Sequence, residues 1–175
     1  MANRQLNRGL FEAAQAGDIE KVRNYLAKGA NINYEHWYDG TPLHAASEGG
    51  FINIVKLLLE RADIDPNKEN GYGNTPLHAA AKGGFINIVK LLLERADIDP
   101  KKENKYNGDT PLHSAASHGH LDIVQLLLER ANIDPNKETK DGNTVLHKAT
   151  RSGELELVQL LLKTSNIDPN QKNKV

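Results

Sequence analysis

The chain has 175 residues with Lys plus Arg 22 and Asp plus Glu 23, a formal net charge of −1. That balance argues against holding nucleic acid by bulk positive charge, and the absence of cysteine excludes disulfides, thiolate zinc sites and a Cys nucleophile. Apolar runs are short, as in Leu57-Leu58-Leu59, far below the roughly 20 residues that cross a membrane.

Along the chain one pattern recurs. Thr41-Pro42-Leu43-His44 returns as Thr75-Pro76-Leu77-His78, as Thr110-Pro111-Leu112-His113 and, altered, as Thr144-Val145-Leu146-His147. Gly49 to Pro66 is identical to Gly83 to Pro100. A weaker copy lies upstream, where Leu10, Ala13, Gly17, Ile19, Val22 and Leu26 match Leu43, Ala46, Gly50, Ile52, Val55 and Leu59. The chain therefore reads as one domain, 1–175, of five units at about 8–40, 41–74, 75–109, 110–143 and 144–175.

Each unit has the same local logic. Thr41 suits an N-cap, and Pro42 suits the first helical position, where its missing N–H costs nothing. Leu43 and Ala46 form a narrow apolar edge, and Gly49-Gly50 ends this short helix. A second helix is predicted from Ile52 to about Arg61, with Ile54, Val55, Leu58 and Leu59 on its buried face. Asp65-Pro66 and the run to Asn74 predict an extended turn. One unit cannot bury its own apolar faces, but a row of units can. The polar Glu12, Gln15, Asp18, Glu20, Lys21 and Arg23 suit the first unit to an end of that row, and Glu154, Glu156, Gln159 and Lys163 the last.

These residues, TPLHAA followed by G-(F/H/E)-(I/L)-x-(I/L)-V-x-L-L-L, resemble the ankyrin repeat from about Arg8 onward. The resemblance implies an all-α solenoid of five stacked helix-turn-helix units with β-hairpin finger loops, spanning roughly 50 Å at about 10 Å per unit. It implies a protein-interaction module that binds through its fingers and inner helices, and a structural role for each repeat His, which bonds backbone in the finger. It also implies that a finger Asn can be β-hydroxylated: counted back from the repeat Thr, Asn33, Asn67 and Asn136 match, with Lys102 in the third finger.

Several polar residues could carry either chemistry or structure alone. The repeat His residues stand about 10 Å apart, too far for a shared metal. His118 and His120 could form a two-His site or merely close a helix junction. Asp63, Asp65 and Asn67 alternate like a calcium loop, but Lys68 and Asn74 stand where Gly and Glu are needed. No phosphate loop or nucleophile elbow occurs. We expect no enzyme activity and no cofactor.

The residues that break the repeat are more informative. Tyr34, Trp37, Tyr38, Tyr72 and Tyr106 fall in expected exposed turns, and Tyr and Trp are common interface anchors; the alternative is that they pack on neighbouring fingers. On the first helices Ala45, Ala79, Ser114 and Lys148 form one series, and Glu48, Lys82, Ser117 and Arg151 another, drifting from acidic to basic. We therefore take Tyr34, Trp37, Tyr38, Tyr72 and Tyr106 as anchors, with Lys82, Lys105, Lys148 and Arg151 as electrostatic support. The expected partner is another protein, with no nucleic acid, membrane or small-molecule substrate. The chain is expected to be a cytoplasmic monomer, with the nucleus or delivery into a host cell left open. A stability scaffold with no partner, engineered or excised from a longer array, is the other reading.

Overall fold

A computed structural model describes residues 2–130, 133–164 and 166–174. Among these residues it contains ten helices: α1 (Ala2–Gln15), α2 (Ile19–Ala27), α3 (Pro42–Glu48), α4 (Ile52–Leu59), α5 (Pro76–Gly83), α6 (Ile86–Leu93), α7 (Pro111–Ser117), α8 (Leu121–Arg130), α9 (Val145–Ser152) and α10 (Leu155–Lys163). They pair in chain order into five helix-turn-helix units. The odd-numbered helices pack closely in a row, whereas the even-numbered ones touch more lightly. Small residues explain the difference: Ala46, Ala80, Ala81, Ala115, Ala116 and Ala149 are buried between odd helices and permit close approach. The core runs the length of the row through Leu43, Leu77 and Leu112 on the odd helices. Ile54, Ile88 and Ile123 continue it on the even ones.

The caps form as the sequence dictates. Pro42, Pro76 and Pro111 each open a helix behind an extended Thr. The Thr N–H donates to the Nδ1 of the His three residues on, at 3.1 Å for Thr41 and His44. The first helix of each pair ends before a left-handed glycine, such as Gly50 (φ 75°). Gly50 is needed twice over, because a Cβ there would overlap the ring of Phe85 from the next unit. The second helix ends at Leu59, two residues before the expected Arg61, and the Glu60 N–H donates to the Lys56 carbonyl.

The loops correct the expected architecture. Among the described residues there are no β-strands, and therefore no β-hairpin finger loops; a single isolated bridge joins His36 and Gly40. The hydrogen bonds explain why. Each loop closes on itself with only one or two backbone bonds, as when Asn70 N–H donates to the Asn74 carbonyl at 2.9 Å and Gly73 N–H to the Asn70 carbonyl at 2.8 Å. Side chains take the N–H groups that a ladder would need: Asn70 Oδ1 accepts from both Tyr72 and Asn74. Asn104 Oδ1 does the same for Asn107 and Gly108.

Two kinds of link join one loop to the next. At the base, Asn33 accepts from the Asp65 N–H at 2.8 Å and donates to the Asp63 carbonyl at 2.7 Å. Asn67 does the same for Asp99 and Asp97, and Asn136 for Asp168 and Asn166. In the first unit Asn7 of α1 makes the accepting half of this link, taking the Asn31 N–H at 2.8 Å. In the third loop the equivalent residue is Lys101, not Lys102. Its N–H donates to Asp99 Oδ1 just as that of Asn67 donates to Asp65 Oδ1. A lysine has no carboxamide, so that position cannot make the two-way link.

The second link is the repeat histidine. The Nε2–H of His44 donates to the Asn74 carbonyl at 2.8 Å, and that of His78 to the Asp109 carbonyl at 3.0 Å. With Nδ1 accepting from Thr and Nε2 donating to a carbonyl, only the neutral ring fits. Burial accordingly pushes both His44 and His78 down to about 4, against the smaller opposing effect of the carbonyl bond. Burial lowers His113 as well, and its Nε2 donates to the Lys137 carbonyl.

Two predictions follow from these links. The unfolded chain takes up protons on His44 and His78 near pH 6.5, whereas the folded chain resists until about pH 4. Their neutral burial is fully tolerated above pH 6.5, and stability falls as pH drops from 6.5 to 4, by about 3 kcal/mol per histidine. Urea unfolding across that window should show this slope, and His78→Gln should flatten it while lowering stability at pH 7. The second concerns the asparagines. Asn67→Ala should cost about 1–2 kcal/mol, and Lys101→Asn, which offers Asp134 N–H an acceptor, should add about 1 kcal/mol; thermal unfolding of the two variants checks both signs.

Candidate functional interface

The loop between α2 and α3 is built around His36. Its ring stacks on Phe11 at 4.4 Å, its Nδ1 lies 3.2 Å from Asp39 Oδ2, and its N–H donates to the Gly40 carbonyl at 2.7 Å. Between these anchors Trp37 adopts φ 48°, the sole positive φ of a non-glycine residue among those described. A bulky residue there carries strain of roughly 1 kcal/mol or more. The strained Trp37 is nonetheless 76% exposed. Its neighbour Tyr38 is 65% exposed, and Tyr72 and Tyr106 on the next two loops are 53% and 79% exposed. The rings of Tyr38 and Tyr72 lie 5.9 Å apart. Gly71 makes room for this, because a Cβ there would overlap the Tyr38 ring. Tyr34 differs: it is half-buried and packs on the core. Four of the five expected aromatic residues thus reach solvent along one line of loop tips.

The basic residues separate more sharply. Lys82 and Arg151 are exposed, and Lys82 lies 3.8 Å from Glu48. Lys105 is exposed and pairs with Glu69. Both Lys105 and Lys102 hold the Glu69 carboxyl below its ordinary range, Lys105 foremost. Lys148 is buried, and its ammonium lies 2.7 Å from Asp109 Oδ1 and 3.1 Å from Oδ2. Its charge is spent inside the protein, so it is not placed to support a partner. Asp109 was not singled out by sequence. It occupies the place of Asn74 and Asn143 just ahead of the repeat Thr, and the exchange of Asn for Asp opposite the exchange of Ala or Ser for Lys was the available signal.

Between the tips and the odd helices lies a groove of about 310 Å³, lined by Tyr38, Glu48, Tyr72, Lys82, Ser117 and His118 among others. It is shallow and polar rather than a closed pocket. His118 and His120 stack at 6.2 Å, but each is engaged with backbone: His118 Nδ1 donates to the Ser114 carbonyl and His120 Nε2 to that of Lys82. Among the described residues no group of three or more His, Asp or Glu is arranged to hold a metal. Asp63, of the calcium-like run, pairs instead with Arg61 at 3.1 Å. No helix among the described residues is long and apolar enough to cross a membrane.

A second row was missed by sequence reasoning. Lys68 pairs with Glu35 at 2.7 Å, Lys102 with Glu69 at 2.9 Å and Lys137 with Glu103 at 2.8 Å. Gln171 continues the row by donating to Glu138 at 2.7 Å. The recurring Lys-Glu dipeptide was its signature: each Glu meets the Lys of the following loop.

The family model described as "Ankyrin repeats (3 copies)" matches residues 10–104 and 96–173. The mouse 2-5A-dependent ribonuclease is 42% identical over 60 residues, which is 34% of this chain and 8% of that protein. The Arabidopsis thaliana serine/threonine-protein kinase 12 is 40% identical over 58 residues, 33% of this chain and 13% of that protein. The matched stretch is thus a small part of either relative.

The buried pair yields a prediction. Lys148→Ala alone strands the Asp109 carboxylate and should cost about 3 kcal/mol. Asp109→Asn combined with Lys148→Ser reproduces the Asn74 and Ser114 combination of the preceding pair of units and should recover most of that loss in urea unfolding.

Proposed function

The chain belongs to the ankyrin-repeat family, and from that membership we propose that it binds a partner protein through its row of exposed aromatic loop tips and the adjoining groove. The ankyrin-repeat architecture is a non-catalytic interaction scaffold. The observation that carries the reading is the strained, exposed Trp37 at the head of a line formed by Tyr38, Tyr72 and Tyr106. Large rings gathered on one exposed edge, one of them in a costly backbone conformation, are what an interaction surface leaves uncovered in the free protein. Large rings in such a position bury much area with few rotors to freeze, which favours association. Lys82 lines the groove and Lys105 adjoins Tyr106, so both would steer an oppositely charged partner; Arg151 lies apart, in a concavity of the last unit with His147 and Asp168. The loops are tied to one another by backbone and asparagine bonds, so little conformational entropy is lost on binding. We read residues 1–175 as one such binding unit, acting as a cytoplasmic monomer.

The test is affinity capture from lysate of the source cells. The wild-type chain is compared with Trp37→Ala/Tyr72→Ala/Tyr106→Ala after circular dichroism confirms equal helicity. A partner held by wild type and reduced at least about tenfold with the variant is the expected result. Equal retention would contradict the surface assignment, and absence of any partner would favour the scaffold without a ligand.

A further inference from the structure

The loop tips stand in backbone register. Gly71 N–H donates to the Tyr38 carbonyl, Lys105 N–H to that of Tyr72, Lys140 N–H to that of Asn107 and Lys174 N–H to that of Asp141, all between 2.9 and 3.2 Å. The donor position of this register therefore reads Gly71, Lys105, Lys140, Lys174. Three successive tips carry a lysine at the same place, and all three lysines are exposed.

Two of the ammonium groups are held by backbone carbonyls. Lys140 Nζ donates to the Lys105 carbonyl, and Lys174 Nζ donates to the Lys140 carbonyl at 3.1 Å. Lys140 Nζ also reaches the Tyr106 carbonyl at 3.5 Å; carbonyls fix an ammonium without neutralising it, which leaves one donor of Lys140 and two of Lys174 for a ligand. Lys105 pairs with Glu69, but Glu69 is shared with Lys102. With Glu103, which stands beside Lys140 at Gly108 and pairs with Lys137, five lysines, 102, 105, 137, 140 and 174, face three carboxylates, Glu69, Glu103 and the exposed Asp141, a surplus of about two positive charges. Towards the other end of the same line the tips are aromatic: Trp37-Tyr38, Tyr72 and Tyr106. The two stretches overlap at Lys105-Tyr106.

We propose that this edge binds an acidic, proline-containing peptide in the polyproline II conformation, with carboxylates at every third residue facing Lys105, Lys140 and Lys174 and prolines laid on the tyrosines. The match is one of period. Units of such a solenoid repeat at about 10 Å. A polyproline II helix brings the same face round every three residues, at about 3.1 Å each, or roughly 9 Å. A β-strand would present residue i+3 on its opposite side; an α-helix returns a like face after about seven residues, or roughly 10.5 Å, but cannot carry prolines along its length for the tyrosines. Exposed tyrosine rows suit proline rings, which bind with little entropy loss because the ligand is already extended. Recognition of this peptide rests on the reading that the loop tips bind a partner, and it names that partner's chemistry.

The probe is a fluorescein-labelled peptide of Pro-Pro-Glu repeated four times, titrated by fluorescence anisotropy at low salt. The comparisons are the same length of Pro-Pro-Gln, of Pro-Pro-Lys, and of a peptide of the first composition with its four glutamates adjacent. The expected order is Pro-Pro-Glu tightest, with the clustered and Gln peptides weaker by about tenfold or more and the Lys peptide weakest. Lys140→Gln/Lys174→Gln, which keeps polar donors at the tips, should lose about tenfold for Pro-Pro-Glu and leave Pro-Pro-Gln unchanged. Tyr72→Ala/Tyr106→Ala should weaken both peptides. No measurable binding of Pro-Pro-Glu, equal binding of the clustered peptide, or indifference to the lysine changes would overturn the proposal. Competition separates the two readings. If a captured cellular partner depends on Trp37, Tyr72 and Tyr106 but is not displaced by Pro-Pro-Glu, the peptide assignment fails and the binding surface stands. If no partner depends on those residues, the surface reading fails with or without the peptide.

Discussion

No unit of this protein can bury its own apolar face, and the link that makes neighbours covering it possible is the neutral repeat histidine. Its Nδ1 accepts from the Thr N–H of its own helix start, and its Nε2–H reaches a carbonyl of the next loop. One ring thereby fixes the start of a helix and the position of the loop that follows. Because it does so while buried, it must stay uncharged, and the fold inherits a sensitivity to mild acid. The leucine beside it in the sequence, at 43, 77 and 112, fills the core between the same helices. Polar and apolar contributions are thus made by adjacent residues of one short motif.

The same economy governs the loops. Their backbone groups are not paired in strands but divided among three partners: the loop itself, a carboxamide from the preceding loop, and the carbonyl at the preceding tip. The result is an edge made of single bonds repeated once per unit, each aligned with the last. That alignment places Tyr38 against Tyr72 and sets lysines 105, 140 and 174 in file. This exposed edge is a by-product of the way the loops satisfy their backbone. Ionic pairs between successive loops, from Glu35–Lys68 to Glu103–Lys137, run along the same row but are too exposed to contribute much stability.

The helices were legible from sequence because their signals are local. Thr41 and Pro42 start a helix, Gly50 stops it, and Ile54, Val55 and Leu58 declare a face without reference to any other unit. The loops were not, because their conformation is decided by neighbours. Nothing in Asn70-Gly71-Tyr72 says that its carboxamide will outcompete a strand partner for backbone N–H. The register of the third loop was misread for a physical reason too. Its extra residue follows Tyr106, so counting back from Thr110 lands on Lys102, whereas the turn at Asp99-Pro100 puts Lys101 in the asparagine position. Likewise Lys148 reads as a surface charge until the fold brings Asp109 to within 2.7 Å of it, 39 residues earlier in the chain. The exposure of Trp37, Tyr38, Tyr72 and Tyr106 was legible, since each sits in a run of turn residues, but that of Tyr34 was not, since its contact with the core is non-local.

The loop tips form one edge, tied unit to unit by backbone bonds within the free chain. Amide hydrogen exchange in the free protein tests it directly, read at Gly71, Lys105 and Lys140 at the tips and at Asp65 and Asp99 at the loop bases. If these amides exchange as slowly as those of α5, the edge is a built part of the fold, as the account requires. If they exchange at the rate of an unstructured chain while α5 stays protected, the loops are independent of one another and the account is wrong.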